Sequence, residues 1–175
     1  KWLTQVGASG IPIVGLDPSI VLTYRDEYIK ILGQNNLKIK VLLPQEFLMM
    51  NRDNCRKNSV KSMQNFEEYH LLGHCTEKTT AESSLELWKD VFDLFGLDLM
   101  LINSGCCGMA GTYGHETEHY EESLGIYNLS WRKKIPDDPF NRHKILATGF
   151  SCRSQVMRFD GFRPLHPVQA LLREI

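Results

Sequence analysis

Five short apolar runs, each the length of a β-strand and each followed by polar or amphipathic sequence, constrain the fold most. They are Gly10-Ile11-Pro12-Ile13-Val14-Gly15, residues 39–43, Tyr69-His70-Leu71-Leu72-Gly73, Leu99-Met100-Leu101-Ile102 and Lys144-Ile145-Leu146-Ala147-Thr148-Gly149. The intervening segments read as helices. One starts at Pro18 or Ser19 and runs to residue 32, and 45–50 is a second. Thr79 and Glu82 are spaced as a capping box before the stripe Leu85, Trp88, Phe92 and Phe95, which Gly96 ends. Residues 116–131 form another, Ser151 caps a helix over 152–159, and a short one follows His166-Pro167 with Val168, Leu171 and Leu172. Residues 51–64, with Arg52, Arg56, Lys57 and Lys61, read as a loop, 74–78 as a turn and 136–140 as a loop. Short buried strands alternating with amphipathic helices predict an α/β fold: a mainly parallel, Rossmann-like sheet with helices on both faces, in one domain over 1–175.

That order places the thiols. Cys75, Cys106, Cys107 and Cys152 each fall just past the C-terminal end of a predicted strand, the edge of an open parallel sheet where ligands bind. Cys55 does not, and is read as a small buried hydrophobe. Five cysteines at these positions do not resemble a secreted disulfide framework. A net charge of −1 predicts no nucleic-acid partner. No apolar run approaches the roughly 20 residues of a transmembrane helix, and no signal peptide is evident, so a cytoplasmic location is expected, at most peripheral to the inner membrane through partners. A start at Lys1 and a stop straight after an amphipathic run predict a fragment of something larger.

Thiolates converge for zinc, iron–sulfur chemistry, redox disulfides or nucleophilic catalysis. A four-thiolate set from three loops suits a bulky cluster, and Gly105, Gly108 and Gly111 leave room for backbone N–H groups to approach it. Cys152 at a helix N-terminus gains from the dipole. Lys78 and Arg153, each within three residues of a candidate ligand, supply positive charge. A structural zinc site and a thiol–disulfide module stay open on the same cysteines. His74, adjacent to Cys75, is a candidate for orienting or relaying protons beside the site, whereas His166 reads as a hydrogen-bonded structural histidine. His115-Glu116-Thr117-Glu118-His119 matches the zinc-protease pattern H-E-x-x-H. Its polar interior and the lack of a third ligand favour a solvated helix face.

Gly105-Cys106-Cys107-Gly108-Met109-Ala110-Gly111 with Cys152-Arg153 resembles the cysteine-rich CCG domain, which occurs in heterodisulfide reductase and in the iron–sulfur subunits of glycolate oxidase and anaerobic glycerol-3-phosphate dehydrogenase. Leu16-Asp17-Pro18-Ser19, Arg25-Asp26-Glu27-Tyr28, His74-Cys75-Thr76-Glu77-Lys78, Thr148-Gly149-Phe150-Ser151-Cys152-Arg153-Ser154-Gln155 and His166-Pro167 are most similar to its form at the C-terminus of fused FAD-linked oxidases. The resemblance implies a domain carrying an iron–sulfur cluster of the 4Fe-4S type on Cys75, Cys106, Cys107 and Cys152. FAD would sit on a separate domain, with a ferredoxin-like domain and an electron acceptor as partners. The flavin would oxidise a D-2-hydroxy acid of the D-lactate, D-2-hydroxyglutarate or glycolate type, and this chain alone would not turn it over. Arg25 and Glu27 would face a partner domain. Ile20 and Gln155 depart from the pattern, because related domains carry cysteine at both positions.

Overall fold

The computed structural model describes residues 2–33, 40–58 and 68–174. In chain order the elements are α1 (Trp2–Ala8), β1 (Ile13–Val14), α2 (Pro18–Arg25), α3 (Glu27–Leu32), β2 (Val41–Leu42), α4 (Pro44–Met50), α5 (Arg52–Asn58), β3 (Glu68–Leu72), α6 (Cys75–Thr80), α7 (Glu82–Leu94), β4 (Asp98–Leu101), α8 (Tyr120–Leu129), α9 (Pro139–Arg142), β5 (Ile145–Ala147), α10 (Phe150–Asp160) and α11 (Pro167–Glu174). Among the described residues β4-β3-β5 form one parallel sheet and β1-β2 a separate parallel pair. β3 is central: Leu71 lies opposite Leu101 on β4, and Leu72 opposite Ala147 on β5. The three strand ends therefore finish side by side.

Alternation along these strands builds two cores. On one face Tyr69, Leu71 and Leu146 pack with Leu85, Trp88, Val91 and Phe92 of α7 and with Ala170 and Leu171 of α11. On the other, Leu72, Ile145 and Ala147 pack with Tyr127, Trp131, Val156, Cys107 and Cys152. Helices on both faces of a parallel sheet are the expected architecture. Burying each large apolar side chain contributes about 1.5–3 kcal/mol, so the α7 stripe is a main source of stability.

Several element boundaries depart from the sequence expectation, each for a local reason. The helix expected to run to residue 32 is two helices meeting at Asp26, whose φ of −117° and ψ of −70° distort the turn while its N–H and carbonyl still bond Leu22 and Lys30. Arg25, expected at a partner-facing rim, is also engaged within the domain: its guanidinium donates to the Val41 carbonyl and to Glu46, whose carboxylate also receives the Leu43 N–H. The expected turn at 74–78 opens α6 instead, since His74 caps it by accepting from the Thr76 N–H at 3.3 Å. Thr79 does not cap α7. Its hydroxyl is spent on the Cys75 and Thr76 carbonyls within α6, and α7 starts after Ala81. Arg52–Asn58 of the expected 51–64 loop are helical, and residues 59–64 lie outside the described residues. Gly149, not Ser151, is the N-cap of α10. The 116–131 helix begins only at Tyr120, and Pro139–Arg142 form a short helix capped by Asp138.

Candidate functional site

Each strand of the three-stranded sheet feeds a cysteine to one edge. β3 passes through His74 into α6, whose first residue is Cys75; β4 runs into the turn carrying Cys106 and Cys107; β5 leads through Gly149 to Cys152 in the first turn of α10. Cys106 sits against Cys75 and Cys107, and Cys107 against Cys152, closely enough that each thiol shifts its neighbour's protonation. The four candidate ligands are thus strung in one chain of contacts. Cys75 and Cys106 are half-buried, Cys107 and Cys152 buried, and Cys55 stands apart with its thiol toward the Leu48 carbonyl.

The electrostatics follow from that chain. Donation from Cys107 and Cys75, with the Gly108 N–H at 3.3 Å from Cys106 Sγ, holds the Cys106 thiol far below its usual range. The same contacts push Cys75 and Cys107 upward, and burial adds to the rise. The opposite directions favour negative charge on Cys106 and disfavour it on its two neighbours. All four can ionise together only around a cation that offsets their repulsion. Lys78 lies near all four, pulled down by burial and up by the thiols, but its ammonium is already bound to the Ser104 carbonyl and hydroxyl and to the Gly105 carbonyl.

The Cys-Cys-Gly turn is clamped from several sides. Lys78 holds Ser104. The Gly105 N–H donates to Ser130 Oγ at 2.6 Å, and the Gly105 carbonyl accepts from Trp131 Nε1 at 3.0 Å. Ser123 Oγ donates to the Gly108 carbonyl at 2.9 Å. Gly108 itself sits at φ +85°, and a Cβ there would come within 2.3 Å of the Ser123 carbonyl oxygen, so only glycine fits. Gly149 makes similar room, since a Cβ would meet His74 Cδ2 at 2.4 Å and Cys152 Sγ at 3.2 Å.

The remaining candidates separate. His74 lies beside the thiols, its pKa lowered by burial against the pull of Asp17 and Cys106, with Nε2 3.5 Å from Ser151 Oγ. Gly111 is exposed at φ +70°, with open space around it among the described residues. Arg153 turns away: its guanidinium donates to the Pro164 carbonyl and to Gln169 Oε1. The H-E-x-x-H segment is not one helix. Extended Glu116, at ψ 136°, separates two 3₁₀ turns, and His119 stacks on Tyr113 at 3.9 Å. The two histidines therefore do not share a helical face.

Sequence reasoning missed the clamps. Ser123, Ser130 and Trp131 come from α8 and its C-terminal end, and nothing in their spacing marks them. Thr148 was also missed: its hydroxyl receives the His74 N–H at 3.0 Å and donates to buried Glu77 at 2.7 Å, while Gln45 Nε2 donates to the other Glu77 oxygen. Burial lifts the Glu77 carboxyl to about 7 against those bonds. Beside the thiols opens a cavity of about 540 Å³, lined by Cys75, Cys106, Lys78, Ser104, Leu85 and Leu101.

A parallel α/β sheet whose strand ends converge four thiols defines a thiol-rimmed α/β domain. No protein-family model matches the chain, and no solved structure does. It is 47% identical over 174 residues to a D-2-hydroxyglutarate dehydrogenase of Pantoea ananatis (strain AJ13355), covering 99% of this chain and 16% of that protein. It is 45% identical over 174 residues to the Escherichia coli (strain K12) protein of the same name, with the same coverage. A more distant relative, at 26% over 172 residues, is a subunit of the anaerobic glycerol-3-phosphate dehydrogenase of Escherichia coli (strain K12), with 97% of this chain and 42% of that protein covered. The chain thus spans 16% of the length of the two D-2-hydroxyglutarate dehydrogenases. Both kinds of protein are ones that the CCG resemblance names.

Proposed function

We propose that Cys75, Cys106, Cys107 and Cys152 hold an iron–sulfur cluster of the 4Fe-4S type. In this reading the chain passes electrons within a larger flavin-linked D-2-hydroxy-acid dehydrogenase, with D-2-hydroxyglutarate the substrate that its relatives' names favour. The observation that carries this is the string of four thiols on three adjacent strand ends with a backbone N–H already on one sulfur. The donor set fits. A tetrahedral zinc site, with Zn–S bonds of about 2.3 Å, gathers its sulfurs to about 3.8 Å from one another. Among the described residues, the one group of three or more ligand atoms all within 4.8 Å of each other is Glu116, Glu118 and His119. The four sulfurs form no such group, and four cysteine thiolates are the donor set that a 4Fe-4S cluster takes.

Such a cluster supplies one-electron transfer when bound. The chain's own residues do the rest. Cys107 and Cys152 bury two ligands in an apolar core, which limits water. Gly108 aims an N–H at Cys106 Sγ, and Lys78 places positive charge beside all four sulfurs. Leu16, Ile20 and Phe150 stand 62%, 60% and 59% exposed on two segments that Asp17, the cap of α2, ties together by accepting the Phe150 N–H at 2.8 Å. An apolar collar of this kind marks a contact surface. In this reading the FAD-binding and ferredoxin-like domains of the full-length protein dock there. No helix among the described residues is long and apolar enough to cross a membrane.

Anaerobic iron, sulfide and zinc analysis of wild type beside Cys107→Ser tests the proposal. Wild type is expected to hold iron and sulfide in cluster proportion, and Cys107→Ser to lose most of both. Stoichiometric zinc without iron in wild type would transfer the site to a structural zinc role. A metal-free protein whose Cys106 and Cys107 become linked on oxidation would make it a thiol-redox site.

A further inference from the structure

A buried relay of hydrogen bonds ends on the thiolate turn, and it begins at Gln155. This residue lies three positions after Cys152 in α10, on the same helical side, and is 0% exposed. Its Nε2 donates to Ser123 Oγ at 2.7 Å. Ser123, also 0% exposed, donates to the Gly108 carbonyl at 2.9 Å. The Gly108 N–H reaches Cys106 Sγ at 3.3 Å. Gln155 Oε1, on the other side of the same amide, is buried without a hydrogen-bond partner among the described residues.

An orphaned buried carbonyl oxygen is destabilising, because it gives up water and gains nothing in return. Leucine or methionine would fill the same space without that penalty, so packing alone does not account for an amide here. What only the amide supplies is the N–H that fixes the Ser123 hydroxyl. With its lone pair engaged by Gln155, that hydroxyl is left to donate to Gly108. Without the amide, Ser123 is free to rotate toward other carbonyls of its own helix.

We propose that Gln155 is a positioning residue for the thiol site: acting through Ser123, it locks the Cys106-Cys107-Gly108 turn so that the Gly108 N–H stays on Cys106 Sγ. The effect on reduction potential rests on the iron–sulfur reading, whereas the locking of the turn does not. An N–H held on a ligating sulfur stabilises the more negative, reduced state, so the relay raises the potential. An amide at 155 also offers no thiolate, which leaves Cys152 as the sole thiol that α10 contributes.

The test uses the full-length protein with Gln155→Leu, Ser123→Ala and the double variant, and takes two readouts. In the metal-free protein, hydrogen exchange of the Gly108 and Met109 amides should speed up at least tenfold in each single variant. The double variant should be no faster than either single, because both break one relay. In the iron-loaded protein the midpoint potential should move negative by at least tenfold in the reduction equilibrium, about 59 mV for one electron, with the melting temperature little changed. Unchanged exchange in both single variants, or additive effects in the double, overturns the proposal. Should Gln155→Leu fail to fold, Ser123→Ala carries the exchange measurement. Absence of iron from wild type defeats the cluster reading alone, and the exchange rates still decide the relay.

Discussion

At the residue scale, Cys106 accepts from the Gly108 amide and sits against Cys75 and Cys107, which favours gathering on one sulfur the charge that four separate thiolates could not carry side by side. Burial sets the protonation of a second group, His166, 6% exposed beneath Trp88. Its Nδ1 accepts from the Val168 N–H at 3.2 Å. Desolvation, then the nearby Arg153 charge, lower its pKa from 6.5 to about 4. The unfolded chain takes up this proton near pH 6.5 and the folded chain only near 4. Stability from the neutral imidazole is therefore complete above about 6.5 and is lost as pH falls toward 4, by at most about 3 kcal/mol. Burial of Glu77 acts in the opposite sense over the same interval, so the His166 share is read by comparison: between pH 7 and pH 4.5 in urea unfolding, His166→Asn, which keeps an acceptor for the Val168 N–H, should lose less stability than wild type. Equal pH dependence in the two proteins would remove His166 as the cause.

At the element scale, the contacts that matter join elements distant in sequence. Asp17 caps α2 by accepting from the Ser19 N–H at 3.0 Å and reaches across to the first residue of α10. Those bonds hold its carboxylate below the usual range even though desolvation works the other way. It ties the β1-β2 part of the fold to the thiol edge. Asp17→Ala should cost about 2 kcal/mol, toward the upper end for a lost helix cap, measured by urea unfolding at pH 7. Asp17→Asn, which retains a capping oxygen, should recover at least half. Equal losses would mean that charge, not the cap, carries the effect.

At the scale of the whole molecule, the domain presents its thiols on one edge and an apolar collar beside them. Under the proposed iron–sulfur reading, Ile20→Glu with Phe150→Glu in the full-length protein should leave iron content unchanged but slow substrate-driven reduction of the proposed cluster at least tenfold, followed by rapid mixing. Leu129→Glu places the same charge at an exposed position on α8, 73% exposed, and should have no such effect. Normal transfer in the double variant would overturn the proposed docking at this edge.

Strand positions, the two-sided sheet and the four strand-end cysteines were legible in the sequence. They rest on properties local to the chain: apolar runs of strand length, amphipathic period and the glycines around Cys106 and Cys107. Helix starts were less legible, because capping at His74 and Gly149 depends on how a strand delivers the chain into the next turn, and the expected caps Thr79 and Ser151 found other roles. Only the tertiary structure brought Ser123 and Gln155 onto Gly108, turned Arg153 toward Pro164 and spent Arg25 on Glu46. Such choices compare bonds to residues from 11 to 32 positions away, and pairing across that distance leaves no period or spacing in the chain itself. The thiol inventory was therefore set by sequence, while which sulfur carries the charge was decided by the fold that set Cys75 and Gly108 against Cys106.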